Sequence, residues 1–75
     1  MAQAQLDVKG LKCPMPMLRA KKALANLESG DQLTVYATDA GVETDFAAFC
    51  RHTGHQLLSF EVLADGSFVL VLRHK

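Results

Sequence analysis

A chain of 75 residues, 49% apolar and 21% charged, has the make-up of one small folded domain rather than a disordered segment, with little core to spare for a deep cavity. No apolar run approaches the ~20 residues that span a bilayer. Residues 1–5 lack the basic and apolar regions of an export signal, so the expectation is a cytoplasmic protein with no membrane partner. Net charge is zero, which counts against direct nucleic-acid binding, where a domain is usually basic overall.

Residues 6–8 form a short apolar stretch that predicts the first strand, and residues 9–12 a loop. A helix is expected to start near Pro14. Its apolar positions Met17, Ala20, Leu24 and Leu27, with Ala23 beside them, follow helical spacing, and Arg19, Lys22 and Asn26 fall on the opposite face. Ser29-Gly30 is expected to end it, with Gly30 at the left-handed position that follows a helix. Residues 32–38 alternate, Leu33, Val35 and Ala37 against Thr34, Tyr36 and Thr38, which predicts a half-buried strand. After a turn at residues 38–41, a second helix runs from Val42 or Glu43 to Thr53. Val42, Phe46, Phe49, Cys50 and Thr53 form its inner stripe, and Gly54 stops it.

Residues 57–63 predict a third strand with Leu58, Phe60 and Val62 facing one way. Asp65-Gly66 suits a type I′ hairpin turn. Residues 68–72 are apolar at every position, as in a central strand. The order β-α-β-α-β-β, with right-handed crossovers, gives an α+β fold: a two-layer sandwich with a mixed four-stranded sheet and both helices on one face, in a single domain with its ordered core at about residues 6–73. The outer sheet face keeps Thr34, Tyr36, Thr38, Ser59 and Glu61, with Val69 and Val71 as an apolar centre open to contact.

The chemistry concentrates at Cys13. In Leu11-Lys12-Cys13-Pro14-Met15-Pro16 the cysteine stands where the N-cap belongs, Pro14 falls at the first helical position and Pro16 at the third. The Met15 and Met17 N–H groups then point out of the helix end, and the positive end of the helix dipole, with Lys12 and Arg19 nearby, is expected to depress the thiol pKa. A reactive, exposed thiol follows, with Pro14, Met15 and Pro16 shaping the helix start around it. Residues 1–22 carry Lys9, Lys12, Arg19, Lys21 and Lys22 against Asp7 alone, whereas residues 23–65 carry seven acidic residues against Arg51. Lys12, Arg19 and Lys22 are therefore candidates for docking a protein partner, and Met15 is a candidate apolar contact.

Cys50 reads as a core thiol on the inner stripe of the second helix. A Cys-x-x-Cys pair is missing, which argues against redox exchange. Two cysteines with His52, His55 and His74 do not make a zinc pattern, so no metal is expected, and exchange at a thiol calls for no organic cofactor.

Leu6-Asp7-x-x-Gly10-Leu11-x-Cys13-Pro14-x-Pro16 followed by a basic amphipathic helix resembles the TusA/SirA-like sulfur-carrier family, whose hallmark is the CPxP motif. The Asp39 turn, the Asp45-Phe46 pair and the Gly54-His55-x-Leu57 step are similar too. The resemblance runs from Leu6 to Arg73, with one departure at Ala40, where many members have proline. It implies a sulfurtransferase that acts as a carrier, holding sulfane sulfur as a persulfide on Cys13. The implied partners are a cysteine desulfurase or rhodanese-like donor and a downstream acceptor protein, and the implied pathways are tRNA thiolation, cofactor maturation or sulfur oxidation. Nothing demands more than a monomer. The alternative is a small RNA- or protein-binding module without catalysis. One tyrosine and no tryptophan offer little for stacking bases.

Overall fold

A computed structural model describes residues 2–75. The elements are β1 (Gln3–Val8), α1 (Met15–Ala25), β2 (Gln32–Ala37), α2 (Val42–Thr53), β3 (Gln56–Val62) and β4 (Phe68–Arg73), in the expected β-α-β-α-β-β order. The sheet order is β1-β2-β4-β3. β1 pairs in parallel with β2, and β4 lies antiparallel between β2 and β3. Both crossovers, β1 to β2 and β2 to β3, advance in the same direction across the sheet. A right-handed hand for each brings both helices to one face.

That face is the core. Leu33, Val35 and Ala37 of β2 and Leu70 and Leu72 of β4 are fully buried beneath Ala20 and Leu24 of α1 and Phe46 and Cys50 of α2. β4 is central and apolar from Phe68 to Leu72 because both of its faces are covered in part: Leu70 and Leu72 by helices, Val69 and Val71 by cross-strand neighbours on the outer face. The outer face carries Thr34, Tyr36, Ser59 and Glu61 as expected, aligned in register with Val71 and Val69.

Five local expectations are corrected. β1 begins at Gln3, three residues earlier than the apolar stretch suggests, because the parallel ladder with β2 fixes its polar start as well. α1 ends at Ala25 with Asn26 as its C-cap, not at Ser29-Gly30. Gly30 is left-handed, at φ +88°, but serves the connection to β2, where its N–H donates to the His74 carbonyl at 2.9 Å. β2 stops at Ala37, so Thr38 belongs to the loop, where its Oγ1 accepts the Gly10 N–H at 2.9 Å.

In β3, Leu58 does not share a side with Phe60. A register shift between Leu57 and Ser59 puts Leu57 opposite Leu72 and Phe60 opposite Leu70, both against the core. Leu58 is left 47% exposed and Val62 62% exposed. A bulge adds one residue and breaks the two-residue period on which the alternation rests. The hairpin turn is not type I′ either, since glycines are the only residues with positive φ among those described. The Gly66 N–H closes a turn on the Leu63 carbonyl at 2.9 Å, Gly66 sits at φ +87°, and the Leu63 N–H reaches the Ser67 carbonyl at 2.8 Å. This is the three-residue connection that ends in a left-handed glycine. Asp65 secures it by accepting from both the Ser67 N–H and the Ser67 hydroxyl.

The end of the sheet at the start of β2 is tied by one buried carboxylate. Asp31 accepts the Glu28 N–H at 2.8 Å and the Ala2 N–H at 2.9 Å, while its own carbonyl accepts the His74 N–H at 2.8 Å. These bonds favour the charged form, so the Asp31 pKa is lowered, first by the Glu28 N–H and then by that of Ala2. A folded-state pKa below the unfolded value adds stability that is present above about pH 4 and lost as pH falls through the lower folded value. Asp31→Asn is therefore expected to lower urea midpoints at pH 7 and to flatten their decline below pH 4. Phe46, fully buried between the sheet and α2, sets the packing term: Phe46→Ala should lose about 3–5 kcal/mol in the same unfolding experiment.

Candidate functional site

Parallel pairing puts the carboxyl ends of β1 and β2 at one edge of the sheet, so the loops that follow them meet there. The bond from the Gly10 N–H to Thr38 Oγ1 joins the two loops directly. Gly10 holds φ +82° at this crossing, a conformation that a side chain rarely takes. The first loop carries Cys13 and the second carries Asp39 and leads into Asp45 in the first turn of α2.

Cys13 is exposed and free. The structure moves it one residue further from the helix than expected. The N-cap of α1 is Pro14, Met15 is the first helical residue and Pro16 the second. The Cys13–Pro14 peptide is cis. The Met15 N–H donates to the Lys12 carbonyl at 2.9 Å, and Pro16 has none, so at most the Met17 N–H is available to a thiolate. The expected dipole effect is correspondingly weak.

The dominant neighbours are acidic. Asp45 and Asp39 both act on the Cys13 thiol with negative charge. Their carboxylates converge on Gly41. A Cβ built on Gly41 would lie 3.5 Å from Asp39 Oδ2 and 3.7 Å from Asp45 Oδ2. Asp39 Oδ2 is held by the Gly41 N–H at 3.3 Å, and the Asp45 N–H donates to the Gly41 carbonyl at 3.0 Å. The thiol pKa is consequently raised, not depressed: first by the hydrogen bond to Asp45, then by desolvation, then by the charges of Asp45 and Asp39. Lys12 and Arg19 are not among the causes, which overturns the expectation of a thiolate stabilised by basic neighbours.

In the sequence, Asp39 and Asp45 stand out only as points of family likeness and not as neighbours of the thiol. The signal that could have found them is the β-α-β order, which brings the two loops together, combined with the acidic first turn of α2.

The expected docking residues divide. Arg19 and Lys22 lie with Leu6 and Ala23 around a shallow depression beside β1, whereas Lys12 stays in the loop next to Cys13. Met15 and Leu18 are 39% and 50% exposed. At positions i, i+3, i+4 and i+7, Met15, Leu18, Arg19 and Lys22 occupy one side of α1, starting two residues after the thiol. Leu18 escapes notice in the sequence because it lies outside the core stripe.

Cys50 is 6% exposed in the core, and burial pushes its thiol up, as its place on the α2 stripe suggests. Among the described residues, no group of three or more His, Cys, Asp and Glu side chains could hold a metal ion, and no helix is long and apolar enough to cross a membrane. At the opposite end of the sheet, His55 and His74 lie edge to face at 4.6 Å, and His55 Nδ1 accepts the Lys75 N–H at 3.1 Å.

The family model for sulfurtransferase TusA matches residues 4–74. A Neisseria meningitidis protein provisionally named as a sulfur carrier is 63% identical over 70 residues, 93% of each chain. The sulfur carrier protein TusA of Pseudomonas putida is 39% identical over 72 residues, 96% of this chain and 89% of that one. The crystal structure of a SirA-like protein from Desulfitobacterium hafniense superposes with a TM-score of 0.84 at 28% identity, covering 93% of this chain and 95% of the other.

The two thiols should separate by reactivity. A thiol-labelling reagent is expected to count Cys13 alone in the native protein and Cys50 only after unfolding. The pH midpoint of Cys13 alkylation should lie above that of a free cysteine in the same buffer, whereas a midpoint below it would restore the dipole picture.

Proposed function

Because the chain belongs to the sulfurtransferase TusA family, we propose that Cys13 carries sulfane sulfur as a persulfide and relays it between protein thiols. The observation that carries this reading is the single exposed thiol at the edge where two loops meet, with the other cysteine sealed in the core. A lone accessible thiol can accept and release one sulfur but cannot close an internal disulfide. The site needs no metal or organic cofactor for this exchange.

Loading begins when the Cys13 thiolate attacks the outer sulfur of a donor persulfide, whose S–S bond breaks so that the donor cysteine leaves as a thiolate with the bonding pair. Unloading begins when an acceptor thiolate attacks the outer sulfur on Cys13, which leaves with the bonding electron pair. Both steps require the outer sulfur to reach a partner's thiol, and the exposed site at the sheet edge suits that. The α1 side formed by Met15, Leu18, Arg19 and Lys22 offers partners an apolar contact flanked by positive charge, with Lys12 on the approach loop. The donor is a cysteine desulfurase or a rhodanese-like protein, the acceptor a downstream sulfur-receiving protein, and the pathway tRNA thiolation, cofactor maturation or sulfur oxidation in a cytoplasmic setting.

Incubation with a cysteine desulfurase and cysteine, or with thiosulfate and a rhodanese, followed by intact mass measurement, tests the relay. A gain of about 32 Da, lost on reduction, is expected for the wild type and for Cys50→Ser but not for Cys13→Ser. No gain at Cys13 with either donor would sink the proposal. RNA binding retained by Cys13→Ser in the same preparations would favour the binding-module reading.

A further inference from the structure

We propose that the outer face of the sheet is an interface with a second copy of this chain, packed sheet to sheet about a two-fold axis that runs across the strands. The inference stands apart from the sulfur relay and needs nothing from it. Strand register orders the outer face into rows. The row at the Cys13 end runs Asp7, Tyr36, Val69 and Glu61 across β1, β2, β4 and β3. Next along the strands, the middle row has Thr34 beside Val71 at its centre, and the far row carries Arg73 between Gln32 and Gln56. Thr34, Tyr36, Val69 and Val71 are half-buried on the two central strands, whereas Asp7, Glu61 and Arg73 are exposed. An aromatic and β-branched centre inside a polar and charged rim is the make-up of a protein interface.

The charges identify the occupant. The face is negative at one end, through Asp7 and Glu61, and positive at the other, through Arg73. Each end row lies about 7 Å along the strands from the middle row. A two-fold axis along the middle row lays β4 antiparallel over β4 of the copy and exchanges the two ends. Arg73 of each copy then lies over Val69 of the other, one strand spacing, about 5 Å, from Glu61 and within reach of it. Val71 meets its own counterpart at the axis. A two-fold axis along the strands does the opposite, setting the acidic row of one copy on the acidic row of the other, and like charges exclude it. The surface is thus complementary to itself in one arrangement. Four strands of about six residues make a face of about 400 Å² on each copy, at the low end for specific interfaces. The dimer is therefore a transient one that grows in with concentration. The operation carries the two Cys13 edges to opposite ends of the dimer, so both thiols stay open to partners.

Sedimentation of the full chain from about 10 μM to about 1 mM tests the interface, a range set by its small area. The mean mass should climb from one chain toward two. Arg73→Glu and Glu61→Arg should each move the dimer curve to about three- to tenfold higher concentration, since each reversal acts at two symmetry-related pairs. The double variant should bring the curve back toward the wild type. Val71→Lys sets two like charges at the axis and should leave a monomer, with circular dichroism checking that it folds. A readout without any variant is NMR of the wild type on dilution, in which amide shifts should change on β2 and β4 and stay fixed on α1. Leu18→Glu, on the exposed side of α1, should leave the dimer curve unchanged. A chain that stays monomeric to the top of the range, a dimer indifferent to both charge reversals, dilution shifts on α1, or a dimer dissolved by Leu18→Glu would each overturn the proposal.

Discussion

The parallel pairing of β1 with β2 is the constraint on which the site depends. Parallel neighbours start at one edge of the sheet and end at the other, so the chain must cross back through a helix between them. Residues that follow β1 and residues that follow β2 are thereby delivered to the same edge, although Cys13 and Asp45 are far apart in sequence. The Gly10 to Thr38 bond turns this topological nearness into contact. Stability at the opposite end comes from different residues: Asp31 gathers the backbone there. The chemistry can thus occupy an exposed edge without disturbing the packing beneath it.

Two electrostatic influences compete at the thiol, and their sizes decide the outcome. A helix N-terminus presents the equivalent of about half an elementary charge, effective within its first turn. Here it is further weakened, since one N–H is engaged by the Lys12 carbonyl, one is missing at Pro16, and the thiol stands outside the N-cap. The opposing influence is the negative charge of Asp45, with that of Asp39. Two full charges outweigh a screened partial one. Cys13 is therefore favoured as a thiol rather than as a permanently ionised nucleophile.

The same economy of parts shapes α1. Its inner stripe, Ala20 and Leu24 with Pro16, is committed to the sheet. Its outer side is free to combine apolar Met15 and Leu18 with Arg19 and Lys22. Packed through this one stripe, the helix leaves the thiol ahead of its first turn exposed at the edge of the domain.

The sequence by itself determined the element order, the two-layer architecture, the core positions on β2, β4 and both helices, and the identity of the exposed thiol. These are legible because helical and strand periods mark buried faces directly, and because Cys13 stands in a motif while Cys50 stands on a core stripe. It could not determine the Leu58 bulge, since one inserted residue inverts a strand's facing without leaving a mark in composition. Nor did it determine the turn geometry at Gly66, set by bonds among Leu63, Gly66 and Ser67, or the early end of α1 at its Asn26 cap. Only the tertiary structure decided the environment of Cys13. Its local neighbours are basic and its spatial neighbours acidic, because the crossover that makes β1 and β2 parallel brings the start of α2, with Asp39 and Asp45, to the thiol.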